Sequence, residues 1–321
     1  MESYEKFNYA VRPNKRTQRK MIFEALARYV SVFPKRRFSY VGFGSMWFSD
    51  FLYAHRRLGV KTLTSVERTE GYRRAVFNRP FKCVRVVEGN SSEVLPSLSW
   101  KDASIVWLDY DYVPESESLQ DIALLASKLA SGSVLIVTYD ARPPWKDGDK
   151  AKAREAALRR VFGDAVPFTS KKRTGAKTQK PGPGLTHQSE YMPTLVSLLW
   201  THLKNLLVQN GRAVSEKPTW APLFSFHYRD GAPMVTIGAA LLNPHDALHV
   251  HEGELSSHLP YLRGEALFRI AIPPLTQKER TELDRRLPSR NVNLPFPLAQ
   301  EQIESYADLY RYYPLFAEVE L

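Results

Sequence analysis

The stretch FSYVGFGSMWFSDF, residues 38–51, runs from an apolar segment through Gly-Phe-Gly-Ser into a sequence that can begin a helix. Glycines let the backbone approach a ligand closely, and a helix N-terminus presents free N–H groups to it. A dinucleotide site would extend the pattern to G-x-G-x-x-G, but position 47 is Trp. Two glycines alone do not identify a site, so the elements that follow them decide the fold.

Strand-like and helix-like segments alternate along the first half of the chain. The strand-like segments are rich in β-branched and apolar residues, and they cover 38–41, 61–67, 83–89, 103–111 and 133–140. A long helix follows at 191–209, and 219–242 contains two strands joined at Asp-Gly, a strong hairpin signal. Strands that alternate with helices form right-handed βαβ units. We therefore predict an α/β fold, with a Rossmann-like, doubly wound sheet of five parallel strands and a C-terminal antiparallel hairpin.

Composition divides the chain into three predicted parts. They are a basic helical segment at 1–37, a main domain at 38–245 and a small, mainly helical appendage at 246–321. Helices of the appendage are predicted within 268–288 and 298–314. The main domain carries a basic insertion at about 146–190, where residues 165–189 hold five Lys/Arg and no acid. Such a segment cannot bury a core, so it predicts a loop.

Composition also limits the classes of protein to which the chain can belong. At 321 residues, with 43% hydrophobic and 25% charged residues, it is typical of a globular protein with a sizeable core. No apolar run is long enough to predict a membrane span, and the charged N-terminal sequence lacks the apolar region of a signal peptide. The single cysteine, Cys83, excludes an internal disulfide framework and a multi-cysteine zinc site. We expect a cytoplasmic protein without membrane contact.

Positive charge is concentrated in the larger part of the chain. The net charge is +11, yet residues 246–321 hold 8 Lys/Arg against 12 Asp/Glu. The excess before residue 246 suits a polyanion such as DNA or RNA, and a generally basic surface is the alternative. The candidate nucleic-acid-binding residues are Lys15, Arg16 and Arg19 on the first helix and Lys171, Lys172 and Arg173 in the basic loop. A solvated helix face and a linker would show the same pattern.

Polar residues follow the second and third predicted strands, where open α/β sheets bind their ligands. Glu67 lies 23 residues after Gly44 and can accept hydrogen bonds from both hydroxyls of a ribose, although a surface glutamate beside Arg68 would look the same. Asn90 and Ser91 follow the third strand, where an amide can bind the edge of an adenine or simply complete a turn. The spacing favours a nucleoside site at this edge of the sheet.

The fourth predicted strand ends in the sequence WLDYDY. Asp109 and Asp111 alternate with Tyr110 and Tyr112, so both carboxylates face one way if the strand continues through them. Two acids and two aromatic rings suit a ligand that is cationic or can stack on a ring. Alternatively, the strand end is simply solvated and its aspartates are ordinary capping residues. Asp109 or Asp111 can orient or deprotonate a hydroxyl or amine, and Tyr110 can stack on a base.

The order of these motifs resembles that of class I S-adenosylmethionine-dependent methyltransferases. YVGFG, SVER, EGNSS and WLDYD follow one another as in that fold, and RPNK, GFGSMWFSDF and DYD are similar to a family of bacterial O-methyltransferases. The resemblance covers about residues 36–243 and implies S-adenosylmethionine as cofactor. It assigns cofactor binding to Gly42, Phe43, Gly44, Ser45, Glu67, Arg68, Asn90 and Ser91. It places the catalytic candidates Asp109, Tyr110 and Asp111 beside the reacting methyl group.

The sequence departs from the family pattern at several positions. Tyr40 stands two residues before the first glycine, where these enzymes usually carry an acid, and Ser45 takes the third position of the glycine turn. The Asp-Tyr-Asp-Tyr end of the fourth strand differs from the Asp/Asn-Pro-Pro-Tyr sequence that resembles methylation of base amino groups. No cysteine lies in a catalytic motif, which argues against cysteine-mediated cytosine methylation.

The predicted function is that of an S-adenosylmethionine-dependent methyltransferase with nucleic acid as its acceptor. A non-catalytic nucleoside- or nucleic-acid-binding sensor, or a subunit of a larger assembly such as a bacterial defence system, is the alternative. The appendage is a candidate surface for a protein partner. The histidines at 245, 249, 251 and 258 lie near acids but match no metal-ligand spacing, so no metal site is predicted.

Overall fold

The structure, a computed structural model, describes residues 12–146, 148–166, 188–255 and 259–314. Its strands are β1 (Ser39–Gly42), β2 (Thr62–Glu67), β3 (Val84–Glu88), β4 (Ser104–Asp109), β5 (Ser133–Asp140), β6 (Thr219–Arg229), β7 (Pro233–Leu242) and β8 (Leu267–Ile270). Its α-helices are α1 (Pro13–Val32), α2 (Ser49–Arg56), α3 (Thr69–Asn78), α4 (Ser91–Ser97), α5 (Ser116–Lys128), α6 (Ala151–Phe162), α7 (Gln188–Gln209), α8 (Arg212–Ser215), α9 (Pro244–Glu252), α10 (Gln277–Asp284) and α11 (Gln300–Leu309). Within these described ranges, no helix is long and apolar enough to cross a membrane.

The described strands form one sheet in the order β3–β2–β1–β4–β5–β7–β6–β8. β1 to β5 are parallel, and β7 pairs antiparallel with both β5 and β6. The predicted five parallel strands and C-terminal hairpin are therefore confirmed, with the turn at Asp230-Gly231 as the sequence indicates. The sequence pattern does not predict β8, which pairs in parallel with β6.

Side chains of each central strand alternate between the two faces of the sheet, and helices cover both faces. On β4, Val106 and Leu108 pack in the cluster that includes α4, α5 and α7, whereas Ile105 and Trp107 pack with α1, α2 and α3. All four side chains are buried. Burial on both faces explains the nearly continuous apolar sequence of this strand.

The first helix, α1, is packed into the protein core. Met21 and Leu26 are fully buried in the cluster that contains side chains of β1 and β4, and α1 also contacts β6 and β8. The helix predicted within 11–37 is present, but its polar side is buried as well, since Lys15 and Arg19 are each 6% exposed. Neither side chain is solvated, so the solvated helix face that sequence analysis gives as an alternative is not found at these two positions.

The last described residues pack onto α1. The Thr17 hydroxyl donates a hydrogen bond to the Tyr312 carbonyl at 3.2 Å, and the Tyr312 hydroxyl donates to Glu24 Oε2 at 2.5 Å. The Tyr261 hydroxyl donates to the Met21 carbonyl at 3.1 Å. α1 is therefore enclosed between the sheet on one side and the C-terminal part of the chain on the other.

Residues of the predicted appendage extend the main sheet. The stretch 268–288, predicted as helical, begins in strand β8 and becomes helical only in α10. Phe268 and Ile270 alternate with exposed Arg269 and are buried, which is a strand period. Two consecutive prolines at 273–274 then exclude a helix interior. The helix predicted within 298–314 is present as α11, and the division into separate domains stays a prediction.

Candidate active site

A pocket of about 450 Å³ lies at the carboxyl ends of β1, β2, β3 and β4. Open α/β sheets bind ligands at this position because the loops after the strands and the helix N-termini converge there. Ten residues predicted for the cofactor or for catalysis line it: Phe43, Gly44, Ser45, Glu67, Arg68, Asn90, Ser91, Asp109, Tyr110 and Asp111. The motifs that follow four separate strands are thus brought together in one pocket.

The glycine turn after β1 is held by hydrogen bonds that lead to β2. The Gly44 N–H donates to Ser65 Oγ at 3.0 Å, and the Ser65 hydroxyl donates to Glu67 Oε1 at 2.7 Å. A Cβ on Gly44 would lie 2.6 Å from both the Phe48 ring and Ser65 Oγ. Only glycine fits there, and the turn therefore presents bare backbone to the pocket.

Glu67 is a buried carboxylate at the end of β2. It shares one face of the strand with Ser65, because strand side chains alternate. Burial raises the pKa of Glu67, and hydrogen bonds from Ser65 and from the backbone of Ser45 and Gly44 oppose that rise. These contacts hold the carboxylate in place at the wall of the pocket, where it can accept hydrogen bonds from a ligand.

Asp50 brings a second carboxylate to the glycine turn, and sequence analysis missed it. It lies in the first turn of α2, lines the pocket and accepts a hydrogen bond from the Tyr40 hydroxyl at 2.5 Å. Burial raises the pKa of Asp50. Asp50 therefore brings a carboxylate from a neighbouring helix to the end of β1, where Tyr40 bonds to it. An acid in a first helical turn is common, and the pattern alone does not single it out.

Lys15 and Arg19 reach the pocket from α1. Lys15 Nζ lies 2.7 Å from Asp109 Oδ2, with side chains that are 8% and 24% exposed. Arg19 lies four residues further on and therefore on the same helix face. Among the described residues, Arg19 Nε and Asp109 Oδ1 are both buried without a hydrogen-bond partner. Two unsatisfied polar atoms of opposite charge in one wall indicate a site that a polar ligand completes.

The end of β4 separates the three catalytic candidates. The strand ends at Asp109, so the alternation expected through Asp111 stops there. Asp109 faces α1, whereas Tyr110 packs on the opposite face, 3% exposed, with its ring stacked on Tyr139 at 5.1 Å. Asp111 is exposed. Tyr110 therefore forms part of the wall, one side of its ring being covered, and Asp111 lies at the pocket mouth.

Asp121 of α5 is the polar centre of the opposite wall, and sequence analysis missed it too. Its Oδ2 accepts hydrogen bonds from the Ser91 hydroxyl at 2.5 Å and from the Tyr110 hydroxyl at 2.7 Å. The helical periodicity could have indicated that this aspartate is buried. Asp121 precedes Ile122 and lies four residues before Leu125, on the apolar face of the helix. A carboxylate on such a face is rarely buried without a reason.

Other predicted cofactor residues lie at the rim or outside the pocket. Asn90 and Arg68 line the rim and are exposed. The Asn90 N–H donates to Glu93 Oε2 at 3.1 Å, as part of the capping box of α4. Gly42 does not line the pocket. A Cβ there would lie 3.1 Å from the Trp107 carbonyl oxygen, so the role of this glycine is close packing of β1 against β4.

A family comparison identifies the group to which the chain is related. A family model described as "Putative O-methyltransferase" matches residues 7–321, a range that contains every residue of the pocket. The chain belongs to this family. Family membership and the strand order together establish the class I methyltransferase fold that the motifs resemble. No curated protein sequence shows significant similarity to the chain.

Solved structures similar to this methyltransferase-family protein are distant from it. The N-terminal domain of EvdMO1, solved with SAH and D-fucose, is 12% identical, with a TM-score of 0.38 over 68% of this chain and 81% of that one. SibL, an S-adenosylmethionine-dependent methyltransferase, is 11% identical, with a TM-score of 0.35 over 68% and 55%. Fibrillarin of Methanococcus jannaschii, a pre-rRNA processing protein, is 9% identical, with a TM-score of 0.35 over 65% and 68%. LepI, solved in complex with SAH and a substrate analogue, is a further similar structure. The chain spans 43% of LepI and about half of SibL.

Of the predicted nucleic-acid residues of this methyltransferase-family protein, the structure describes only the three on α1. Lys15 and Arg19 lie in the pocket wall, and Arg16 between them is half-buried and does not line the pocket. Lys171, Lys172 and Arg173 lie outside the described residues. Residues 245, 249 and 251 of the histidine cluster lie on α9, and residue 258 falls outside the described part, within which no group of three potential metal ligands occurs.

We expect Asp121→Asn to change the pH dependence of stability. Burial raises the pKa of Asp121 against the hydrogen bonds from Ser91 and Tyr110. A raised carboxyl pKa contributes stability that is complete below the ordinary aspartate pKa, near 3.9, and is lost as pH rises through the folded-state pKa. Asparagine does not titrate, so the stability of the variant should increase relative to that of the wild type between pH 4 and pH 8.

Urea unfolding at several pH values measures this difference. Asp102→Asn, which removes one exposed acid, is the control for loss of a charge. A stability difference between Asp121→Asn and wild type that stays constant from pH 4 to pH 8 would contradict the expected effect.

Proposed function

We propose that the protein is an S-adenosylmethionine-dependent methyltransferase that acts on an oxygen of a nucleic acid. One observation carries the cofactor part: the pocket joins a bare glycine turn, a fixed acid after β2, and two side chains of opposite charge that each keep one buried atom without a hydrogen-bond partner, Arg19 Nε and Asp109 Oδ1. Family membership supports methyl transfer and an oxygen acceptor. A non-catalytic sensor is not favoured, because the matching family is described by a transferase activity.

The residues of the pocket fit the parts of this cofactor. Its amino-acid end carries a carboxylate and an ammonium group, which suit the guanidinium of Arg19 and the carboxylate of Asp50, both of which line the pocket. Its ribose hydroxyls suit Glu67, which already accepts from Ser65 and is fixed by that contact. The rim residues Asn90 and Ser91 would meet the adenine. The glycine at position 44 lets the backbone of the turn lie against Phe48 and Ser65 while it lines the pocket.

The protein has a limited chemical task in such a reaction. S-adenosylmethionine supplies a methyl group on a sulfonium, which is already electrophilic, so alignment of the acceptor provides most of the rate. When a hydroxyl accepts the methyl, its proton must leave, and a carboxylate can take it. Asp111 lies exposed at the mouth, where an acceptor enters, whereas Asp109 is held by Lys15. We therefore assign proton acceptance to Asp111 and orientation to Asp109.

The charge of the chain supports the nucleic-acid part of the proposal. The net charge is +11, and residues 246–321 have an excess of acids, so the positive excess lies before them. A basic protein attracts the phosphate backbone without sequence preference. RNA is the first acceptor to test, because its 2′-hydroxyl is an oxygen that DNA lacks.

We expect Glu67→Ala to lower the affinity for S-adenosylmethionine roughly tenfold to hundredfold, the range for lost hydrogen bonds to a charged group. Isothermal titration calorimetry measures the affinity. Glu88→Ala is a matched control, because Glu88 ends β3 directly beside Glu67 in the strand register but is exposed and does not line the pocket. Equal losses in the two variants, or no binding by the wild type, would refute the cofactor assignment.

The acceptor is identified separately, with S-adenosylmethionine that carries a tritiated methyl group. RNA, single-stranded DNA and cellular protein are incubated with the wild type, and label is expected in RNA. Label confined to protein or to DNA would overturn the acceptor class while leaving the cofactor site intact.

A further inference from the structure

Helix α3 exposes an unusual surface next to the pocket. Phe77 is 87% exposed, the highest value among the large hydrophobic side chains within the described ranges. Arg73 and Arg74 precede it by four and three residues, so both lie beside its ring on the helix surface. Only Ala75 of this helix is buried. An aromatic ring that follows two arginines on the helix surface is therefore presented to solvent, next to the partly exposed Val76.

The surroundings of Phe77 are strongly basic. Arg68, Arg73, Arg74, Arg79 and Lys82 are all exposed, and none of these five forms a salt bridge within the part of the chain that the structure describes. Glu70 is the one acid between residues 68 and 82. Cations without neutralising acids create a positive potential that attracts polyanions.

The basic surface begins at the pocket. Arg68, Glu70 and Gly71 line the pocket, and they lie at or before the first turn of α3. Helical rise places Phe77 about 10 Å further along the same helix. Glu70, Arg73, Arg74 and Phe77 occupy neighbouring positions at spacings of three and four, so one stripe leads from the pocket mouth to the exposed ring.

We propose that this stripe of α3 binds a single-stranded nucleic acid, with a base stacked on Phe77 and phosphates bound by Arg73, Arg74 and Arg79. Proteins that bind single strands combine a basic track with aromatic rings on which bases stack. An exposed ring favours a single strand over a duplex, whose bases are already stacked on one another. The excess of arginine favours phosphates over an apolar protein partner. The inference rests on the proposed nucleic-acid acceptor and locates the surface that binds it.

Binding is tested without any cofactor, by fluorescence anisotropy with labelled single-stranded RNA and DNA of about 12 nucleotides, a typical site size. Phe77→Ala should weaken binding about fivefold to hundredfold, the range for loss of one stacked base. Phe77→Trp should restore it. Tyr310→Ala is the matched control, since it removes another exposed ring, 43% exposed, from a segment that contacts α1 and α11. This variant should bind like the wild type.

The arginines are tested through salt dependence. The double variant Arg73→Ala/Arg74→Ala should flatten the slope of log affinity against log salt by about 0.7 for each phosphate contact removed. Lys278→Ala/Arg285→Ala takes the same two charges from α10 and its C-terminal cap, and it should leave the slope unchanged.

Three results would overturn the inference. They are failure of the wild type to bind single strands, equal effects of Phe77→Ala and Tyr310→Ala, and Phe77-dependent binding of an acidic peptide in preference to the oligonucleotide. Because these measurements contain no S-adenosylmethionine, they fail or succeed independently of the cofactor assignment and of methyl transfer.

Discussion

Substituting alanine for Gly44 should abolish measurable S-adenosylmethionine binding and lower stability by about 1–3 kcal/mol, the usual cost of overpacking a core. The added Cβ would lie 2.6 Å from the ring of Phe48 and from Ser65 Oγ. Phe48 is 1% exposed and packed against Phe51, so its ring cannot move aside. Displacing Ser65 instead would break the contact that fixes Glu67.

Calorimetry measures the binding, and urea unfolding measures the stability. The neighbouring variant Ser45→Gly is the control. Ser45 has a φ of 48°, a conformation that glycine adopts without strain, so this change should preserve the turn and its affinity. Undiminished binding by Gly44→Ala would mean that the backbone of this turn is not part of the cofactor site.

Breaking the ion pair between α1 and β4 should have the largest effect on stability. Asp109→Leu would leave the Lys15 ammonium, 8% exposed, without this carboxylate at 2.7 Å, and we expect a loss of about 3 kcal/mol. Lys15→Met should cost less, because Asp109 is 24% exposed and keeps some contact with water. The double variant should recover much of the loss, since two apolar residues replace two charges.

A double-mutant cycle from urea unfolding curves gives the coupling between the two residues. Additive losses would show that the pair contributes no coupling. Both single variants should also bind S-adenosylmethionine more weakly, because the wall that carries Arg19 moves with α1. The Lys278→Ala/Arg285→Ala protein should match the wild type in both measurements.

The parts of the site that follow strands were predictable from sequence. Glu67, Asn90 and Asp109 stand directly after β-branched runs, and parallel strands bring their carboxyl ends to one edge of the sheet. Their meeting at one edge follows from parallel strands, and parallel strands follow from the alternation of strands with helices. Local pattern therefore identified the position of the pocket and ten of its lining residues.

The contributions of α1 were not predictable in the same way. Basic residues on an amphipathic helix are usually solvated, and nothing near Lys15 in the sequence indicates that Asp109 will face it. Asp50 is a similar case, because its partner Tyr40 belongs to another element. Sequence analysis missed β8 because the strand has only four residues, two of them buried. So short an alternation is not distinguishable from the start of the helical sequence that follows it.

The enclosure of α1 also determines when the site can form during synthesis. α1 is the first described element to leave the ribosome, yet the hydroxyl of its Thr17 bonds to Tyr312, 295 residues later in the chain. Closing so long a loop is slow, because the chain loses conformational entropy before the stabilising contacts form. A nascent chain can assemble β1 to β5 while its first helix still lacks its contacts with β6, β8 and Tyr312. The wall that α1 contributes to the pocket is therefore complete only after the segment around Tyr312 has been synthesised, and until then the apolar side of α1 is a surface for chaperones to protect.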